Sequence, residues 1–188
     1  MRNNWREIEG NKVEIDLNVK GKTYKTVIDS KDFELVSKFP KWYGQIDNRS
    51  GKVYAMTTTY KTDKKGRKKQ TPVMLHRVIL GIENEKDFVG DHKNFNTLDN
   101  TRGNLVAKTN SRNSKRTNKD ISKVKKHGKR WGVFFKGELV KGFETKKKAQ
   151  IESVLFNMEQ LPELAVYHDW EYLLEKHGGA VVKEGEQK

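Results

Sequence analysis

Between residues 75 and 118 the chain carries side chains that can move protons and hold a hard cation. They lie in LHRVILG (75–81), VGDHKNFNTLDNTRGNL (89–105) and TNSRNSKRTN (109–118). Asp91 directly precedes His92, and Asn94, Asn96, Asn100, Asn104 and Asn113 follow. An imidazole with a reference pKa of about 6.5 can accept a proton from water near neutral pH. Carboxylate and amide oxygens suit a hard divalent cation. Cys is absent, which excludes disulfides, thiolate–zinc sites and a cysteine nucleophile. A lone Asp-His pair specifies nothing; the information lies in many such residues at fixed spacing.

That spacing resembles the HNH endonuclease family in its phage and intron-homing branch. The matching positions are Leu75-His76-Arg77, Asp91-His92, Asn96-Thr97-Leu98-Asp99-Asn100, Arg102, Asn104-Leu105, Thr109-Asn110-Ser111 and Asn113. The resemblance implies a ββα-metal unit in which His92 is the general base and Asp91 with Asn113 holds one divalent cation. Asn104 would fix the loop and orient the His92 ring. Mg²⁺ is the implied cation, with Mn²⁺ as a substitute, because oxygen-rich sites accept either. The chain departs from relatives in carrying Asn113 where other branches have a third His, and Val106 where Arg is common. Adjacent residues on a regular strand point to opposite faces. Asp91 and His92 sharing one centre therefore requires a twisted strand end, which Gly90 and the following loop allow.

A second resemblance covers 126–165. Trp131-Gly132-Val133, Gly142-Phe143 and the Thr145-x-x-x-Ala149 helix start look like the plant ethylene-response-factor type of DNA-binding domain. That domain is a three-stranded sheet packed on a helix. The likeness implies that Lys129, Arg130, Lys136 and Lys141 contact DNA from the exposed sheet face. Arg77, Lys64, Lys65, Arg67, Arg102, Arg112 and Arg116 are further candidate DNA contacts. His127, His168 and His177 are read as surface or packed residues.

Charge agrees with a polyanion partner. Lys and Arg number 39 against 25 Asp and Glu in 188 residues, a net charge of +14, which fits any nucleic acid. Residues 61–69 hold six basic residues and one acid, and residues 108–130 hold ten basic residues. Residues 159–188 reverse the sign, with seven acids and three Lys. Only 34% of residues are apolar, so small modules are expected rather than one thick core. The first ten residues contain no apolar signal region, and the longest apolar run is far short of a membrane span. A cytoplasmic protein without membrane contact or small-molecule cofactor is expected, and a monomer, since no heptad advertises a dimer.

The elements that must position these residues read as an α+β fold in four segments. Residues 1–80 form an N-terminal, mostly antiparallel β module. It has strands over 11–28 around a turn at Gly21-Lys22, and a short helix capped by Ser30 and ended by Pro40. Further strands follow over 42–46, 52–60 and 70–80. Residues 81–118 form the HNH unit: strand 87–92, an Asn-rich loop, a brief strand at 105–107 and a helix from Thr109. Residues 119–165 form the sheet–helix module. Within it 119–130 reads as a basic linker, followed by strands RWGVFF and LVKGFE and a helix from Thr145. That helix aligns Ile151, Val154, Leu155 and Met158. Residues 166–188 are an acidic helix and tail with Val166, Trp170, Leu173 and Leu174 on one face.

The expected function is a site-specific homing endonuclease that hydrolyses double-stranded DNA to 5′-phosphate and 3′-hydroxyl ends. The alternatives are a catalytically inactive DNA-binding protein or repressor derived from such an enzyme, and an RNA-binding protein.

Overall fold

The structure is a computed structural model in which residues 1–62, 66–109 and 121–179 are described. It is a mixed α+β fold built from several small separate sheets. The chain divides into two compact units, one of residues 1–47 with 52–116 and one of residues 117–188 with the turn 48–51. Among the described residues no helix is long and apolar enough to cross a membrane.

The first unit begins with an antiparallel meander of β1 (Trp5–Ile8), β2 (Lys12–Val19) and β3 (Lys22–Asp29). Alternation along β2 buries Val13, Ile15, Leu17 and Val19, as a period of two requires. Lys20 and Gly21 both take positive φ, the two-residue hairpin geometry that matches strand twist. A 3-10 turn, Ser30–Asp32, leads into α1 (Phe33–Ser37). The expected Ser30 cap is absent, and neither N-terminus has a side-chain cap. The acids placed to cap are committed elsewhere. Asp29 accepts from the Arg102 backbone N–H at 2.8 Å, and Asp32 takes the Arg102 guanidinium at 2.8–3.0 Å.

A second sheet orders β4 (Tyr43–Ile46), β5 (Val53–Thr62) and β6 (Lys68–Met74). The strand expected over 70–80 stops at Met74. LHRVI instead forms α2 (Leu75–Ile79). Leu75, Val78 and Ile79 are all buried, at the i, i+3, i+4 spacing of a helix face. β7 (Phe88–His92) and β8 (Leu105–Thr109) pair antiparallel, with Asp91 opposite Val106 and His92 opposite Leu105. The loop between them is joined to the first sheet. Val27 N–H donates to Leu98 C=O at 2.9 Å, and Asn100 N–H donates to Val27 C=O at 2.8 Å. This polar segment therefore shares the core of the N-terminal sheets, and Leu98 is fully buried in it. The helix expected from Thr109 lies outside the described residues.

In the second unit, the stretch read as a basic linker contains β9 (Lys123–His127). It completes a sheet of order β11-β10-β9 with β10 (Arg130–Phe135) and β11 (Glu138–Phe143). α2 is followed in chain order by α3 (Lys146–Gln160), whose N-cap Thr145 accepts from Lys148 N–H at 3.2 Å. Val133 and Ala149 are fully buried. Val154 joins Trp170, Leu173 and Leu174 in a second small cluster, the last three from α4 (Trp170–Lys176). Val166, expected on one face with Trp170, Leu173 and Leu174, lies in the 3-10 turn before α4 and is exposed. Of the expected α3 stripe, Val154 is buried and Ile151 and Met158 pack against its cluster, whereas Leu155 is 41% exposed and the polar Ser153 and Asn157 are buried. Ser122 satisfies both, through Oγ on Ser153 Oγ at 2.6 Å and its N–H on Asn157 Oδ1 at 2.8 Å.

Candidate functional site

His92 ends β7 with its side chain buried, 4% exposed. Its Nε2 lies 3.2 Å from Asn100 Oδ1. The tautomer follows from the next links. Thr26 Oγ1 donates to Leu98 C=O at 2.8 Å and accepts from Asn100 Nδ2 at 2.8 Å. The Asn100 oxygen is then the atom left for His92, so Nε2 donates and Nδ1 keeps the lone pair of the neutral ring. Burial holds the His92 pKa below its ordinary value, against the opposing pull of Asn100, Asp91 and Asp99. The ring is neutral at pH 7, with Nδ1 as its basic atom.

A second imidazole stands beside it. His76, from α2, meets His92 edge to face at 5.0 Å between centroids, and Tyr54 of β5 lies 6.2 and 6.4 Å from the two rings. Gly90 makes the approach possible. A Cβ there would sit 2.3 Å from His76 Cδ2. Burial first, then the His92 and Arg77 charges, pushes the His76 pKa down to about 3. Burial first, then Asp47 and Asp91, pushes Tyr54 up to about 12. His76 lies on a helix and not on the strand expected over 70–80, and its side chain is buried.

Asn104 binds the loop at two points. Its Oδ1 accepts from Asn94 N–H at 2.9 Å and its Nδ2 donates to Asp99 C=O at 2.7 Å. It fixes the loop as expected, but the side chain on the His92 ring is Asn100. Asn94 and Asn96 close local turns, each accepting from a backbone N–H two residues on at 2.9 Å, as short amides do.

Asp91 occupies the other face. The β7–β8 register runs through Asp91 and His92 without a bulge, so the two side chains leave the strand on opposite sides. The strand end lacks the irregularity that a shared centre was expected to need. The Asp91 carboxylate pairs with Lys108 Nζ of β8, the side chains being 17% and 23% exposed. Asn113, the other expected ligand, lies outside the described residues. Among the described residues no group of three His, Cys, Asp or Glu could hold a metal.

The candidate DNA contacts separate by environment. Arg77 donates to Phe88 C=O at 2.8 Å and Ile82 C=O at 2.6 Å, and also to Glu85 C=O. It ties the 82–88 segment rather than reaching outward. Arg102 is bound to Asp32, which raises its pKa. Arg67 is exposed just before β6. Lys64, Lys65, Arg112 and Arg116 lie outside the described residues.

Arg130 is exposed on β10, whereas Lys129 and Lys136, expected on the sheet face, are exposed in the β9–β10 and β10–β11 turns. Lys141 is opposite Val133 and reaches Glu152 of α3 at 3.3 Å, so it sits on the helix side and not on the open face. The open face carries Lys125, Phe134 and Leu139, together with His127, which lies on the surface as expected. Lys125 lies over the Phe134 ring at 5.6 Å, His127 meets Phe134 at 5.8 Å, and Leu139 is 43% exposed. The alternation in KVKKH (123–127) was the available signal. Compared with known protein families, curated proteins and solved structures, the chain has no match.

Proposed function

We propose that this chain is a metal-dependent HNH-type DNA endonuclease, site-specific and of the homing kind. It hydrolyses phosphodiester bonds in duplex DNA to 5′-phosphate and 3′-hydroxyl ends. The observation that carries the reading is the hydrogen-bond series from Leu98 C=O through Thr26 and Asn100 to His92. It leaves a neutral imidazole with a basic Nδ1, the state that takes a proton from an attacking water.

Asp91 is a hard oxygen donor whose chemistry suits Mg²⁺ or Mn²⁺, but it leaves β7 on the face opposite His92, so a shared centre requires the strand end to rearrange. Asp91 with Asn113 would hold the cation. When bound, such a cation polarises the phosphate and stabilises the leaving 3′ oxygen. The chain's own work is narrower. Asn100 holds the imidazole in one tautomer, His76 packs edge to face against it, and Asn104 keeps the loop in register. The basic residues of the sheet and hairpin grip phosphates. With about eight phosphates neutralised, log K falls against log salt with a slope near −7.

A second reading, a catalytically inactive DNA-binding protein derived from such an enzyme, is favoured by two observations. His92 is 4% exposed, and the Asp91 carboxylate is already engaged by Lys108. Nicking of supercoiled plasmid and of phage and host DNA in Mg²⁺ separates the two. The endonuclease nicks, and His92→Ala and Asn113→Ala abolish nicking while binding persists. Tight DNA binding by wild-type protein without nicking in Mg²⁺ or Mn²⁺ establishes the inactive protein instead.

A further inference from the structure

We infer, resting on the DNA endonuclease reading above, that the β5–β6 hairpin is a major-groove ribbon in which Gln70, positioned by Tyr60, reads an adenine. β4 pairs with β5 only as far as Tyr43 opposite Met56. Beyond that point β5 has β6 as its sheet neighbour, in register from Thr57 opposite Val73 to Thr62 opposite Lys68. Thr57 and Val73 are buried, whereas residues 60–62 and 66–70 are exposed. The sheet therefore runs out of its core into a two-stranded ribbon, a form only marginally stable by itself in water.

Opposed residues share a face, and successive pairs alternate. One face carries Tyr60 with Gln70 and then Thr62 with Lys68; the other carries Lys61 with Lys69. Lys61 Nζ donates to Asn84 Oδ1 at 2.6 Å, which braces the ribbon against the turn after α2. Lysines alone would only guard an edge against pairing. Tyr60 is different: it is 65% exposed, and its hydroxyl accepts from Gln70 Nε2 at 3.3 Å. That bond fixes which end of the amide is which. It leaves Oε1 and the second Nε2 hydrogen of Gln70 for a ligand, the acceptor and donor that match adenine N6 and N7.

A two-stranded ribbon enters the B-DNA major groove, which is about 12 Å wide. The major groove of A-form RNA is too narrow for its side chains to read. With the Tyr60–Gln70 face on the base edges, Lys68 and Lys69 have stems long enough to meet phosphates on the groove walls. Tyr60 also shares its face of β5 with Tyr54, six residues or about 20 Å back along the strand. Tyr54 in turn packs beside His92, so the ribbon face is continuous with the side of β5 that meets the imidazole.

The test is selection by the full chain from a pool of duplexes with a randomised centre, followed by affinity titration of the selected duplex and a scrambled one. Wild type is expected to enrich a motif containing an adenine whose replacement costs about tenfold in affinity. Gln70→Ala is expected to erase the preference at that one position, with affinity for the scrambled duplex within about twofold of wild type. Gln70→Arg is expected to move the preference there to guanine, the base whose O6 and N7 take a guanidinium. Tyr60→Phe, which keeps the ring and removes the acceptor, is expected to lose about threefold of the preference. Lys69→Ala is expected to weaken both duplexes equally and to lower the salt slope by about one. A motif that Gln70→Ala and Gln70→Arg leave unchanged overturns the inference, and so does a wild type that binds every duplex equally; both results leave DNA hydrolysis untouched. Equal selectivity of Tyr60→Phe and wild type overturns the positioning role of Tyr60. Tighter binding of a structured RNA than of any duplex overturns the endonuclease reading as well.

Discussion

His92 Nε2 donates to Asn100 Oδ1 at 3.2 Å, and Asn100 in turn is held by Thr26, 74 residues away in the chain. The amide does two jobs: it satisfies a buried ring N–H and chooses the tautomer. Asn100→Ala is expected to reduce single-turnover nicking by about a hundredfold, the scale of a lost general-base contribution. DNA affinity by fluorescence anisotropy is expected to stay within about twofold. Asn104→Ala is expected to act differently. Two loop hydrogen bonds vanish, so unfolding free energy drops by about 1–3 kcal/mol. Nicking then falls only as the folded fraction falls. Equal nicking by Asn100→Ala and wild type refutes the assigned role.

His76 makes stability sensitive to acid. In the folded chain its pKa is about 3, whereas the unfolded chain takes the proton near 6.5. Between those values the unfolded state binds more protons, so stability falls as pH falls. The loss begins below about 6.5 and for one such group is at most about 1.4 kcal/mol per pH unit. His92, also shifted down by burial, adds to it in the same direction. Urea unfolding between pH 7 and pH 4.5 checks this. His76→Phe is expected to flatten the profile, leaving the His92 part.

Gly90 is needed for its missing side chain, not for backbone freedom. An alanine methyl would meet His76 Cδ2 at 2.3 Å, and the neighbouring ring has nowhere to retreat because His92 lies against it. Gly90→Ala is expected to cost about 1–3 kcal/mol by overpacking. Paired with His76→Ala, it should cost less than the sum of the two single substitutions, since the methyl then enters the vacated volume. Thermal melts of the four proteins give that coupling energy; strict additivity would show that the two groups do not compete for space.

The two faces of the second unit's sheet should differ in DNA binding. Arg130→Ala and Lys125→Ala are each expected to reduce the salt slope of log K by about one. Lys141→Ala is expected to leave the slope unchanged, because its ammonium is directed to Glu152 on the helix side. Phe134→Ala should weaken binding without altering the slope. Affinity titrations at several salt concentrations separate these outcomes. An equal slope loss for Lys141→Ala would mean that both faces meet phosphate.

Local pattern was enough for much of this protein. The alternation of β2, the β2–β3 turn (at Lys20-Gly21, one residue before the expected Gly21-Lys22), the β10–β11 hairpin and the Thr145 cap each depend on residues a few positions apart. The spacing of Asp91, His92, Asn100 and Asn104 likewise marked the loop that joins β7 to β8. What tertiary structure alone decided was partnership. LHRVI fits a strand or a helix by composition, and only the core it meets selected the helix. Which asparagine holds His92 depended on Thr26 in a distant strand, and the polar stripe of α3 on Ser122. The ion pair at Asp91 depended on the register of β8. Backbone conformation follows from short-range sterics and periodicity. A buried polar group is settled by whichever partner the fold brings within hydrogen-bond distance, and that partner has no fixed offset in the chain.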